Sequence, residues 1–162
     1  MGACYISHYE SPLGGITLGS DGEALTGLWF DRQKNYPYIS SVLYEPLHVF
    51  AETRRWLDIY FDGKDPGFTP QLHMNASPFR LAVWEILKTI PYGKTLTYGG
   101  IAARLSQQKR MSAQAVGGAV GHNPISLIVP CHRVVGAGGK LVGYAAGIER
   151  KAFLLRLEGV KV

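Results

Sequence analysis

Cysteine is scarce in this chain: 162 residues contain two, Cys4 and Cys131. Two are too few for a disulfide framework, and a reducing compartment would keep both as thiols. No four Cys or His residues have finger-like spacing, so no metal site is expected. Long apolar runs are also missing, since none reaches the roughly 18 residues that span a bilayer. Residues 1–11 lack the basic start and apolar core of a secretory signal. The expectation is a cytoplasmic protein with no membrane contact. Repeats and low-complexity tracts are absent. Acidic residues run short in one half only. Residues 77–162 hold Glu85, Glu149 and Glu158 against twelve Lys and Arg, a net charge of +9, whereas residues 1–76 carry −4. A half this basic suits a polyanionic partner, most simply nucleic acid, although solubility alone would also produce it.

What is present is a globular composition, 46% hydrophobic and 18% charged, long enough for one domain or two small ones. Residues 4–9, 16–20 and 25–30 read as strands. The turns between them are set by Ser11-Pro12-Leu13-Gly14-Gly15 and Ser20-Asp21-Gly22, so a small antiparallel meander is expected. Residues 31–44 read as a loop with room for a short helix near 39–43. Pro46 opens a helix with Val49, Thr53, Trp56 and Tyr60 at near-helical spacing, ended by Asp62-Gly63. Residues 65–76 read as a linker. Ser77-Pro78 is a capped helix start, with Phe79, Val83, Ile86, Leu87 and Ile90 as its apolar stripe. Thr97 caps a short helix to Leu105, Ser112 caps a third over 113–121, and a last helix runs from Ile148 to about Glu158. Two short helices followed by strands and a glycine-rich loop outline a winged helix-turn-helix. The reading is therefore α+β, with an N-terminal domain over 1–70 and a C-terminal domain over 77–162.

The helix over 113–121 is nearly all small residues: Ala113, Ala115, Gly117, Gly118, Ala119 and Gly121. Each glycine costs about 1 kcal/mol relative to alanine in a helix interior. Close packing against a neighbouring element is the favoured account from the pattern alone. Close approach to the floor of a DNA minor groove is the other.

The chemistry gathers at Ile128-Val129-Pro130-Cys131-His132-Arg133-Val134-Val135. A thiol reacts as its thiolate, and His132 or Arg133 could supply the base or the positive charge that favours it. Pro130 stiffens the approach. In an extended strand Cys131 and His132 would face opposite ways, so contact between them needs a turn or a bridging water. An inert core cysteine remains the commoner fate of such a residue.

Pro130-Cys131-His132-Arg133-Val134, preceded by Asn123-Pro124, resembles the active-site signature of the O6-alkylguanine-DNA alkyltransferases. The resemblance covers residues 77–162, through Pro91-Tyr92-Gly93, Thr97-Tyr98, Ala115-Val116-Gly117-Gly118-Ala119, Gly143-Tyr144, Arg150-Lys151 and Glu158-Gly159. Residues 1–70 resemble the family's ribonuclease-H-like N-terminal domain more weakly. The resemblance implies a monomer that binds double-stranded DNA carrying O6-alkylguanine and flips the base out. It implies that the alkyl group, chiefly methyl, moves irreversibly to Cys131 without cofactor or metal, with O4-methylthymine a further possible donor.

On the same resemblance, His132 deprotonates Cys131 through a water, Glu158 orients His132, Asn123 braces the network and Tyr98 donates to the departing base. Val134, Tyr144, Ala145 and Lys151 belong to the base pocket. Gln114, Ala115, Gly117 and Gly118 face DNA, with Lys109 and Arg110 supplying phosphate contacts. Glu158 would face the wrong end of a helix dipole, which itself argues for a buried partner. The chain departs from the family in three places. Gln114 stands where an arginine finger is usual, Ala146 adds a methyl to the pocket loop, and Cys4 stands alone where some relatives bind zinc. The competing readings are a non-enzymatic sensor of alkylated DNA, which would lack the cysteine, and a regulator, either a plain winged-helix DNA binder or a sensor that uses methylated Cys4.

Overall fold

The computed structural model describes residues 5–39, 42–105 and 112–162. The chain divides into two compact units, residues 1–74 with Pro124–Ser126, and Asn75–Asn123 with Leu127–Val162.

The first unit is built on an antiparallel meander of β1 (Tyr5–Ser11), β2 (Gly14–Ser20) and β3 (Leu25–Phe30) in the order β1-β2-β3. The glycine pair expected in the first turn belongs to β2, because Ser11 pairs with Gly14 and only Pro12 and Leu13 are left to turn. Ile16, Leu18, Leu25, Leu28 and Phe30 are wholly buried. Helix α1 (His48–Phe61) buries Val49, Phe50, Thr53, Trp56, Leu57 and Tyr60, the stripe read from its spacing. It is tied to β1 by the Tyr9 hydroxyl on Asp58 at 2.6 Å and by Arg54 on Ser7 at 2.6 Å. The short helix expected near 39–43 is not formed at its described residues. Leu43 is extended and bridges Tyr5, accepting a hydrogen bond from Ile6 N–H at 3.0 Å, while Ser40 and Ser41 lie outside the described residues.

The outer edge of β3 is covered by two short segments. Leu25 pairs with the chain at Leu72, and Leu28 with Ile125. Leu28 N–H donates to the Pro124 carbonyl at 2.9 Å, and Ser126 N–H returns the bond to the Leu28 carbonyl at 3.0 Å. This brief excursion of residues 124–126 into the first unit is absent from a division at 70 and 77.

The second unit holds α2 (Pro78–Leu87), β4 (Leu96–Thr97), α3 (Tyr98–Leu105), α4 (Ala113–Gly121), β5 (Val134–Val135) and α5 (Ile148–Leu157). Strands β4 and β5 pair in parallel, Leu96 with Val134 and Thr97 with Val135. The side chains of Ser77, Thr97 and Ser112 accept from backbone N–H groups three residues on, so the helix starts lie where the sequence marked them. The buried face of α2 is Val83, Trp84 and Leu87, with Phe79 and Ile86 only half-buried. Trp84 takes a larger share than expected because its indole N–H donates to the Ala119 carbonyl at 2.8 Å, fixing α2 against α4. Among the described residues no helix is long and apolar enough to cross a membrane.

Candidate active site

The approach to Cys131 is a sequence of tight backbone constraints. Leu127 sits at φ 71°, a region that non-glycine residues seldom occupy. Pro130, at φ −82° and ψ 68°, holds close to an inverse γ-turn, and Cys131 N–H closes that turn on the Val129 carbonyl at 2.8 Å. Asn123 Nδ2 donates to the same carbonyl at 2.7 Å, so Asn123 braces the backbone two residues before the thiol. Cys131–Arg133 then form one 3-10 turn, closed by Arg133 N–H on the Pro130 carbonyl at 3.0 Å and by Val134 N–H on the Cys131 carbonyl. The turn removes the difficulty posed by a strand. Successive side chains in it point about 120° apart rather than to opposite faces.

His132 and Glu158 have no exposed side-chain surface, and His132 Nε2 meets Glu158 Oε2 at 2.6 Å. Glu158 is the C-cap residue of α5, where the helix dipole disfavours an anion. Its other partners offset that. Arg133 Nε donates to Oε1 at 2.8 Å and Arg133 Nη2 to Oε2 at 3.2 Å. Gly93 N–H, from the Pro91-Tyr92-Gly93 turn, donates to Oε1 at 2.9 Å. Burial alone would raise the Glu158 pKa. The hydrogen bond from His132, and the hydrogen bonds and positive charge of Arg133, overcome it and hold the carboxyl well below the usual range. Burial pushes His132 the other way, toward the neutral imidazole. Glu158 opposes that, while Arg133 and Lys151 reinforce it.

Tyr98 and Lys151 lie near enough to Cys131 for each to feel its charge. The Lys151 ammonium lies 6.0 Å from the centre of the Tyr98 ring. Lys151 is wholly buried, and its Nζ donates to the Gly143 carbonyl at 3.1 Å and the Val142 carbonyl at 3.4 Å. The Tyr98 hydroxyl donates to the Val142 carbonyl at 3.4 Å. Burial, and then the charge of Cys131, raise the Tyr98 pKa, so the phenol keeps its proton. Burial lowers Lys151 to about 8, with Cys131 pulling in the opposite direction. The loop carrying Tyr144, Ala145 and Ala146 closes with Gly147 N–H on the Tyr144 carbonyl at 2.9 Å. Gly147, at φ 96°, then starts α5. Tyr144 and Ala145 are half-buried, Ala146 is buried, and Val134 is buried in β5.

Helix α4 buries Val116, Ala119 and Val120 and exposes Gln114, Ala115 and Gly118. Its glycines correct the expectation of close packing. Among the described residues a Cβ added at Gly118 or Gly121 would meet nothing within 4 Å, and one at Gly117 would only just touch Tyr98, at 4.0 Å. No described residue crowds these positions, so the small residues leave an open surface. Lys109 and Arg110 lie outside the described residues, as does Cys4.

Cys131, His132, Glu158, Asn123, Tyr98 and Lys151 are thus drawn into one constellation within the second unit. Sequence reasoning had no place in it for the Arg133 fork or the Gly93 N–H. The signal for both was available, because Arg133 sits inside the motif and Gly93 follows Pro91-Tyr92, but neither residue type announces a buried carboxylate partner.

Two family models match the chain: the DNA-binding domain of 6-O-methylguanine DNA methyltransferase over residues 78–160, and the ribonuclease-like domain of the same family over residues 4–74. The methylated-DNA–protein-cysteine methyltransferase of Methanosarcina acetivorans is 44% identical over 155 residues, covering 96% of this chain and 98% of that protein. Its counterpart from Haemophilus influenzae is 39% identical over 161 residues, covering 99% and 89%. The crystal structure of Mycobacterium tuberculosis OGT in complex with DNA superposes with a TM-score of 0.86 at 41% identity, covering 96% of this chain and 93% of that one.

Proposed function

The chain belongs to the 6-O-methylguanine DNA methyltransferase family, and on that premise we propose that it repairs alkylated DNA by moving the alkyl group, chiefly methyl, from guanine O6 onto Cys131 in one irreversible turnover. The observation that carries this reading is the buried His132–Glu158 pair at 2.6 Å, set one residue beyond Cys131 in a single 3-10 turn. A neutral imidazole fixed by a carboxylate is a general base ready to take a thiol proton.

Duplex DNA approaches the open face of α4 through Gln114, Ala115, Gly117 and Gly118, where small side chains let a groove floor come close. Lys109 and Arg110 add phosphate contacts. The damaged guanine leaves the stack, because an attacking sulfur cannot reach the alkyl carbon inside a duplex. The base lodges beside Tyr144, Ala145 and Val134. The Cys131 carbonyl already accepts from Val134 N–H and has a second lone pair for the base.

His132 Nε2–H is fixed on Glu158, so the proton of Cys131 goes to Nδ1, through a water. Lys151 favours the resulting thiolate by its charge. Sulfur attacks the alkyl carbon in line, the C–O6 bond breaks, and its electron pair goes to the purine. Tyr98, kept protonated by its surroundings, donates toward N3, so that guanine departs neutral. His132 then releases the proton it took from Cys131 and Tyr98 regains one through water, so that the proton lost by Cys131 balances the one gained by guanine. Asn123 keeps the backbone ahead of the thiol from shifting during attack. The thioether has no route back. The protein acts as a monomer in the cytoplasm, and O4-methylthymine is a second donor.

The test is mass spectrometry after incubation with a duplex containing O6-methylguanine. A gain of about 14 Da confined to the peptide with Cys131 is expected. Tight binding without mass gain would indicate a sensor, and a gain at Cys4 a regulator; either result overturns the proposal.

A further inference from the structure

Arg133 is one of the most constrained cations in the second unit, and none of the roles above uses it. Its side chain is 9% exposed and spans both oxygens of Glu158, Nε on Oε1 at 2.8 Å and Nη2 on Oε2 at 3.2 Å. The third nitrogen, Nη1, donates to the Ile90 carbonyl at 2.7 Å, at the end of the segment that follows α2. The guanidinium carbon also lies 5.7 Å from the centre of the Tyr92 ring. Every nitrogen of the fork is therefore used, and the plane of the Glu158 carboxylate is fixed by a partner of matching geometry. Oε2 is left directed at His132 Nε2.

We propose that Arg133 is a positioning residue of the transfer reaction: by bridging both oxygens of Glu158 it fixes the carboxylate toward His132 and shares its negative charge, so that His132 rests as a neutral base. The inference deepens the reading above and rests on it, since it assumes that Cys131 is the acceptor and His132 its base. An isolated buried carboxylate at 2.6 Å would draw a proton onto the imidazole and leave it unable to accept another. With a cation on the far side of the same carboxylate, that pull is weakened while the orientation is kept. The charged groups that act on His132 are Glu158 and Lys151 from α5, and Arg133 beside it in the turn. Glu158 alone favours the imidazolium.

A lysine at position 133 could keep the charge but could not span both oxygens and the Ile90 carbonyl. A glutamine could keep neither the charge nor the fork. The two substitutions therefore separate charge from geometry. The measurement is the NMR titration of the His132 ring in the full chain, assigned by its disappearance in His132→Gln. In the unsubstituted protein the ring is expected to titrate below the ordinary histidine range. In Arg133→Gln the titration should move up by at least one pH unit, a tenfold change in proton affinity. In Arg133→Lys it should stay within about half a unit. Single-turnover methyl transfer should fall at least about tenfold in Arg133→Gln, with most of the loss recovered in Arg133→Lys.

Equal titrations in the glutamine and lysine variants would overturn the proposal, as would an unchanged transfer rate in Arg133→Gln. If the glutamine variant does not fold, Arg133→Met, which fills similar space without charge or fork, takes its place: a titration moved up as for glutamine upholds the proposal, and an unmoved one, or an imidazolium at pH 7 in the unsubstituted protein, overturns it. The ring titration needs no DNA. A chain that failed to accept a methyl group would still answer for Arg133, and a wrong answer for Arg133 would leave Cys131 as the acceptor.

Discussion

Glu158→Gln keeps the shape of the side chain and removes its charge. The two carboxylate oxygens accept four hydrogen bonds, from His132, from Gly93 N–H and from two nitrogens of Arg133. An amide has one acceptor oxygen. Two of the four donors then face an NH₂ group, whichever way the amide turns. Arg133 is left buried without a counter-charge, which typically costs about 3–5 kcal/mol of stability, a large share of the roughly 5–15 kcal/mol available to a domain.

The kinetic effect follows from the tautomer. With the amide nitrogen toward His132, it donates to Nε2, the ring proton moves to Nδ1, and the nitrogen that should receive the Cys131 proton already carries one. Loss of a positioned base costs roughly 10²- to 10⁴-fold, about 3–5 kcal/mol of barrier. The assay is quenched-flow single turnover with protein in excess over an O6-methylguanine duplex, beside urea unfolding and a DNA-binding isotherm. Transfer should slow by at least about a hundredfold while DNA affinity stays within about threefold, since the Glu158 side chain is buried whereas Gln114, Ala115 and Gly118 of α4 are exposed. Transfer within about threefold of the unsubstituted rate, in a destabilised but folded variant, would refute the relay and make Glu158 a structural counter-ion only.

Four further outcomes are expected. Gly118→Leu should fold normally, because no described residue lies within 4 Å of the added Cβ, yet lose at least about tenfold in DNA affinity by holding the groove away; unchanged binding would remove α4 from the interface. Gln114→Arg should keep or raise DNA affinity through added charge, and a severe loss of repair would show that glutamine is specifically required. O6-benzylguanine should react more slowly than O6-methylguanine if the methyl of buried Ala146 narrows access for bulky groups, and comparable rates would refute that. Stability should fall in acid. The folded Glu158 carboxyl is depressed from 4.5 to about 2, so its contribution is complete above pH 4.5 and is lost as pH falls toward 2. Thermal unfolding of Glu158→Gln should show a flatter acid limb, and an identical limb would contradict the assignment.

Much of this architecture is legible in the chain because it is local. Ser77-Pro78, Thr97 and Ser112 declare helix starts through side chains that bond three residues on, and α1 announces its buried face by spacing. Cys131 beside His132 is legible as a motif, and an acidic residue at the end of α5 is suspicious because the dipole opposes it. What the sequence hides is set by distant partners. The 3-10 turn at Cys131 depends on the Val129 carbonyl being shared with Asn123. The pairing of Ile125 with Leu28 joins segments almost a hundred residues apart, with no local signature. Arg133 looks like any basic residue in a basic half, and only geometry shows it spent on a buried carboxylate. The open surface at Gly118 is hidden for a related reason: a glycine in a helix does not say whether a neighbouring element packs against it or the position is left open.

The central claim is that Cys131 itself is the acceptor and is consumed. Titrating a fixed amount of protein with excess O6-methylguanine duplex, and counting repaired sites, tests it most directly. Repair should rise in one burst to a plateau of one site per protein molecule, and Cys131→Ser should bind the duplex but repair none. Continued repair beyond one site per molecule, or a burst that survives in Cys131→Ser, would contradict the account.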